Sequence, residues 1–189
     1  MNKQVVNTRG QHGFTLIEIV IAVAILALLA TTVAPMVMKH MENAKITKMI
    51  QVAEAMEMAC MEYHMDTGGY AREYTGYTEP ANHGLAMDPG TTGWDGPYLD
   101  KVLGESQNPW GGTIHLYASL NNHTANGYDL YGSGSVTHDG AGNSLIVWNV
   151  TEENAEKVDA KVDGELPGDW MTTGRVEYQN GTLCLYIHQ

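Results

Sequence analysis

The chain has 189 residues, with 22 acids against 10 Lys and Arg, and a formal charge of −12. So acidic a surface repels nucleic-acid phosphate, which excludes nucleic acid as a partner. Two cysteines, Cys60 and Cys184, exclude a disulfide-built scaffold, and the length suits one long helix with one globular domain.

Residues 1–13 read as a short polar leader that is cleaved off. It carries Lys3 and Arg9 and no acid, so the charge without it is two lower, −14. A secretory signal has its apolar core before the cut. Here the apolar core follows the candidate cut after Gly13. From Ile19 to Met38 there is no charged residue. Twenty helical positions reach about 30 Å, one hydrocarbon thickness. Residues 14–38 are therefore expected to be a transmembrane and polymerisation helix. Glu18 lies inside this apolar stretch, where a carboxylate costs about 2.5–3.5 kcal/mol. Cleavage after Gly13 would give Phe14 a free amine, and packed copies could pair the Phe14 amine of one with Glu18 of the next. Pro35 cannot donate to the carbonyl of Thr31, so a kink or a melted turn is expected there. The plainer reading is a single-pass anchor with a stray acid, or an uncleaved signal-anchor. The basic leader stays in the cytoplasm by the positive-inside tendency, which puts the body on the other side.

Residues 39–69 are expected to continue the helix as an amphipathic segment. Ile46, Met49, Ile50, Ala53, Met56, Cys60 and Tyr63 recur at three- and four-residue steps. Gly68-Gly69 supply the stop. Together the two segments predict a helix of roughly fifty residues, about 75 Å long. Eight of the 11 methionines lie between Met36 and Met65. Thioethers are soft metal ligands, but flexible methionines also fill irregular helix–helix gaps, and no His/Cys constellation accompanies them.

Residues 70–189 read as a globular domain of loops and antiparallel sheet, for an overall α+β fold. Ala71 to Trp94 is a loop with short helical or extended pieces. At Asn108-Pro109-Trp110-Gly111 a turn is expected, with Pro109 fixing φ and Trp110 packing inward. Thr113–Leu120 alternates as a strand with Ile114, Leu116 and Ala118 on one face, and Tyr128–Tyr131 reads as its return strand. Leu145–Val150 is a further strand. Thr151 caps a helix from Glu152 to Val162, with Ala155, Val158 and Val162 on its apolar face. Arg175–Tyr178, Asn180-Gly181 and Thr182–Ile187 form a hairpin with a type I′ turn. Its register pairs Val176 with Leu185 and Tyr178 with Leu183 on the helix-facing side. Cys184 and Tyr186 then point away, which argues against a bridge to Cys60. The chain holds no HExxH, CxxC, phosphate loop or Gly-x-Ser-x-Gly, and its His are scattered, so no enzyme is expected.

Gly13-Phe14-Thr15-Leu16-Ile17-Glu18 and the apolar run behind it resemble the type IV pilin and pseudopilin family. That resemblance implies cleavage between Gly13 and Phe14 by a prepilin peptidase, N-methylation of Phe14, and roles for Glu18 and Pro35 in assembly. Tyr63–Tyr70, Gly96-Pro97-Tyr98-Leu99 and Asn108-Pro109-Trp110-Gly111 resemble segments of type II secretion major pseudopilins, with Asn108 where an Asp is usual. Gly132–Asn143 loosely resembles their calcium loop. Asp139 and Asn143, helped by Asp129, are the candidate Ca²⁺ oxygens, fewer than the six to eight that calcium takes; the other reading is a plain Asp-Gly turn. After this loop the chain departs from the short pseudopilin pattern. The resemblance implies a subunit of a helical filament made of copies of itself. An inner-membrane assembly platform and minor pilins or pseudopilins would be further partners. The subunit would sit in the inner membrane with a periplasmic body, then in a type II secretion pseudopilus. A surface type IV pilus subunit for adhesion or motility, and a membrane-anchored binding module that never polymerises, are the alternatives.

Overall fold

The computed structural model describes residues 14–119, 141–164, 171 and 174–188. One helix, α1 (Leu16–Thr67), runs for 52 residues, as the two apolar patterns predict. It ends where expected: Gly68 adopts φ 68° and its N–H donates to the carbonyl of His64. The helix passes through Pro35 without melting, although the Thr31 carbonyl loses its amide donor there.

The chain divides into two units between Met41 and Glu42. The first consists, among the described residues, of the apolar part of α1, with every side chain exposed. The second contains the remainder of α1 and a five-stranded antiparallel sheet. Its strands are β1 (Glu73–Tyr74), β2 (Ile114–Ser119), β3 (Gly142–Trp148), β4 (Val176–Gln179) and β5 (Thr182–His188). Their order across the sheet is β1-β2-β3-β5-β4. A second helix, α2 (Glu152–Val162), connects β3 to β4 and has the predicted bounds.

The predicted amphipathic stripe is the core face of α1. Ile46, Met49, Ala53, Met56, Cys60 and Tyr63 are buried, together with Ala59. They pack on Ile114, Leu116, Leu145, Val147, Leu183 and Leu185 from one face of the sheet. Ala155 and Val158 of α2 close the same core. The period of two places Ile146, Cys184 and Tyr186 on the opposite face, in a separate cluster. The β4–β5 register is the predicted one, with Val176 opposite Leu185 and Tyr178 opposite Leu183. Asn180 and Gly181 have φ of 48° and 84°, as a type I′ turn needs. Cys60 and Cys184 are thus both buried and not joined by a disulfide, in clusters on opposite sides of the sheet.

One expectation needs adjusting. The strand read from Leu145 starts earlier, at Gly142, and so takes in Asn143. Tyr128–Tyr131 lies outside the described residues; among those described, β2 pairs with β1 on one edge and with β3 on the other, from Ile114 opposite Val147 to Ser119 opposite Gly142.

Candidate assembly site

The polar start of α1 is a closed local motif. Thr15 N and Thr15 Oγ1 both donate to Glu18 Oε2 at 2.8 Å, and Glu18 N donates to Thr15 Oγ1 at 3.3 Å. This is a capping box: Thr15 sits just before the helix and Glu18 is its third residue. The Thr-x-x-Glu spacing signals that box directly, so Glu18 is a helix cap as well as an acid in an apolar stretch. Phe14 precedes it, 84% exposed, and Gly13 lies outside the described residues. Phe14 and Glu18 are therefore within one turn of each other. Glu18 Oε2 is held by its own Thr15.

Behind the box the helix is apolar and solvent-facing. An 18-residue stretch reaches a mean hydropathy of 2.7, and none of that stretch is buried. Leu16, Ile17, Ile19, Val20, Ile21, Val23, Ile25 and Leu26 are all more than half exposed. Threonines follow: Thr31 Oγ1 donates to the Leu28 carbonyl and Thr32 Oγ1 to that of Leu29. Those bonds keep the hydroxyls satisfied without water just before Pro35, which lies further along the same helix. A row of large apolar side chains of this extent needs either lipid or other helices around it.

The globular unit holds its own polar anchors. Glu73 is fully buried; it accepts from His83 Nδ1 at 2.7 Å and from the N–H groups of Leu85 and Leu103 at 3.2 Å each. Burial pushes its carboxyl above the ordinary range, and these three donors pull it back. His83 Nε2 bonds the Tyr77 carbonyl. The expected loop with short extended and helical pieces is thus stapled to the sheet by an ion-pairing group that periodicity does not reveal. At the predicted turn, Asn108 is buried and its Nδ2 faces the carbonyls of Gly111, Thr113 and Trp148 at 2.8–3.1 Å. Its Oδ1 accepts from Trp110 N.

Of the candidate calcium oxygens, Asn143 alone lies among the described residues. It stands in β3 rather than in a loop, fully buried, with Nδ2 donating to the carbonyls of Ala71 and Tyr117. Its Oδ1 is buried without a partner among the described residues, which leaves one oxygen of the kind calcium takes. Asp129 and Asp139 lie outside the described residues. Among the described residues no three His, Cys, Asp or Glu converge on a metal position.

A prokaryotic N-terminal methylation motif matches residues 8–34, and the family of type II secretion system (T2SS) protein G matches residues 36–149. The type II secretion system core protein G of Aeromonas hydrophila is 28% identical over 144 residues, covering 76% of this chain and 96% of that protein. Its Pseudomonas aeruginosa counterpart is 35% identical over 129 residues, 67% of this chain and 85% of the relative. The fimbrial protein of Neisseria meningitidis is 30% identical over 92 residues, about half of each chain (49%). No solved structure is significantly similar.

Proposed function

The chain belongs to the type II secretion system protein G family, the major pseudopilins, and from that premise we propose that α1 is the polymerisation element of a filament of identical copies. Members of that family are structural subunits, not enzymes. The observation that carries the reading is the row of exposed apolar side chains directly behind the Thr15–Glu18 box. In the membrane, lipid covers that row; in a filament, the helices of other copies do.

The methylation motif over residues 8–34 supports processing by a prepilin peptidase between Gly13 and Phe14, followed by N-methylation of Phe14. The subunit then waits in the inner membrane with its acidic body in the periplasm. An assembly platform there adds it to a pseudopilus, with minor pseudopilins as further partners. Glu18 Oε2 is held by Thr15, which leaves Oε1 to meet the Phe14 amine of a neighbour. The protein G match across 36–149 supports secretion over a surface pilus role. Calcium is proposed for Asn143 Oδ1 together with Asp129 and Asp139. A calcium-dependent rise in Tm that Asp139→Ala abolishes would support it.

N-terminal sequencing of the subunit from its native envelope tests the main reading. A methylated Phe14 at the terminus is expected. Mature protein that keeps residues 1–13 overturns it.

A further inference from the structure

Within the globular unit, the methionines of α1 fall into two sets. Met49 and Met56 are in the core, 0% and 4% exposed, whereas Met58, Met61 and Met65 are 62%, 47% and 81% exposed. The exposed three recur at three- and four-residue steps, so they lie on one face across two turns. Glu54 and Glu62 share that face, and Asp66 borders it. From Met49 to Ala71 the chain has no Lys and no Arg. The strip therefore sets thioethers among carboxylates, and no Lys or Arg follows Lys48 on α1.

An exposed thioether is a nucleophile toward a two-electron oxidant such as a hydroperoxide. The sulfur lone pair attacks one peroxide oxygen, the O–O bond breaks, and sulfur gives up two electrons. The departing hydroxide takes a proton and leaves as water, and the side chain becomes a sulfoxide. Two thiols of a methionine sulfoxide reductase reverse the step, closing to a disulfide and releasing the oxygen as water. The thioether is an adaptable apolar filler, whereas the sulfoxide brings a strong acceptor that costs free energy to bury unpaired.

We propose that Met58, Met61 and Met65 are a reversible oxidation site on the free subunit, and that their sulfoxides block its addition to the filament. This rests on the filament reading. The strip belongs to the same helix as the polymerisation segment, so a second copy running along α1 is the surface it meets. With Glu54, Glu62 and Asp66 as its neighbours, a sulfoxide oxygen pressed against that copy meets carboxylates beside it on its own helix, and the nearby His64 already bonds the Gly69 carbonyl through Nδ1. Met49 and Met56 are the built-in control, since the core shields them from oxidant.

The test has two parts. The full-length subunit in detergent is treated with dilute hydrogen peroxide, and oxygen additions are mapped by mass spectrometry of its peptides. Met58, Met61 and Met65 are expected to react about tenfold faster than Met49 and Met56. In cells lacking the reductases, peroxide is expected to cut filament number about tenfold for the wild type. The variant Met58→Leu/Met61→Leu/Met65→Leu should keep its filaments. Equal oxidation of Met49 and Met56 overturns the site. Equal loss of filaments by the leucine variant overturns the control it exerts. If the triple variant does not assemble, single leucine variants are read for partial resistance, and none gaining any overturns the proposal. Should untreated wild type form no filaments, the filament reading is what fails, and the oxidation map still decides the site.

Discussion

Glu73 and His83 are joined at 2.7 Å in the core of the globular unit, each 1% exposed or less. Glu73 also collects the N–H groups of Leu85 and Leu103, so one carboxylate ties three points of the connection between α1 and β2 to strand β1. Removing one partner of a buried pair leaves the other charge without compensation, a loss of about 3–5 kcal/mol. His83→Ala is therefore expected to cost that much in urea unfolding. Glu73→Gln keeps an acceptor and removes the charge, and should cost less. Equal losses for the two variants would show that the charge, and not the hydrogen bond alone, carries the whole effect.

Asn108 marks the place where the chain departs from the Asp usual in the pseudopilins it resembles. The structure gives the reason: Nδ2 faces three carbonyl oxygens, of Gly111, Thr113 and Trp148. A carboxylate there would set negative charge against three acceptors and lose every donor. Asn108→Asp is expected to destabilise the fold by about 1–3 kcal/mol, the cost of leaving buried acceptors unmet. An unchanged denaturation midpoint would mean that the turn can repack around the acid.

Asp159 on α2 and Asp163 at its C-terminal cap stand one turn apart, and Asp163 Oδ2 accepts from the N–H groups of Arg175 at 2.7 Å and Val176 at 3.1 Å. A Cβ at Gly174 would collide with that oxygen, so the approach requires glycine, which also sits at φ 90°. Burial, then the charge and hydrogen bond of Asp163, push Asp159 from the ordinary 3.8 up to about 6. The folded state thus keeps a proton that the unfolded chain has released. Stability is fully present below pH 4 and falls as pH rises through about 6. Asp159→Asn should raise stability at pH 7 by about 1–2 kcal/mol and leave it unchanged below pH 4. A melting series from pH 3 to pH 8 checks both limbs; parallel curves for the two proteins would refute the shared proton.

What the sequence revealed follows from what is periodic or local. The stripe from Ile46 to Tyr63 repeats at the helical period, so it named the buried face of α1 almost residue for residue. Asn180-Gly181 demands positive φ at both positions, so it fixed the β4–β5 register and set Cys184 apart from Cys60. Glu73 was invisible for the opposite reason. Its partners are 10, 12 and 30 residues away, in segments without regular structure, and nothing local distinguishes a buried carboxylate from a solvated one. Gly and Ser before Asn143 favour a loop, but pairing with β2 draws it into β3. The Thr15–Glu18 box is legible in the Thr-x-x-Glu spacing alone, whereas the charge of Glu18 points to a partner on another copy.

That box sets up the test of the assembly site. Glu18 has two separable properties: an oxygen that accepts from Thr15, and a negative charge. Glutamine at the third helical position keeps the capping bond, since a carboxamide oxygen accepts as a carboxylate does. Glu18→Gln therefore leaves the start of α1 intact and removes only the charge, whereas Thr15→Ala removes the cap at a cost of about 1 kcal/mol and leaves the charge. If the charge pairs with the Phe14 amine of the next copy, Glu18→Gln should abolish filaments while the subunit is still processed and inserted. Thr15→Ala should still assemble. The reverse pattern, with filaments from Glu18→Gln and none from Thr15→Ala, would assign this acid to helix capping alone.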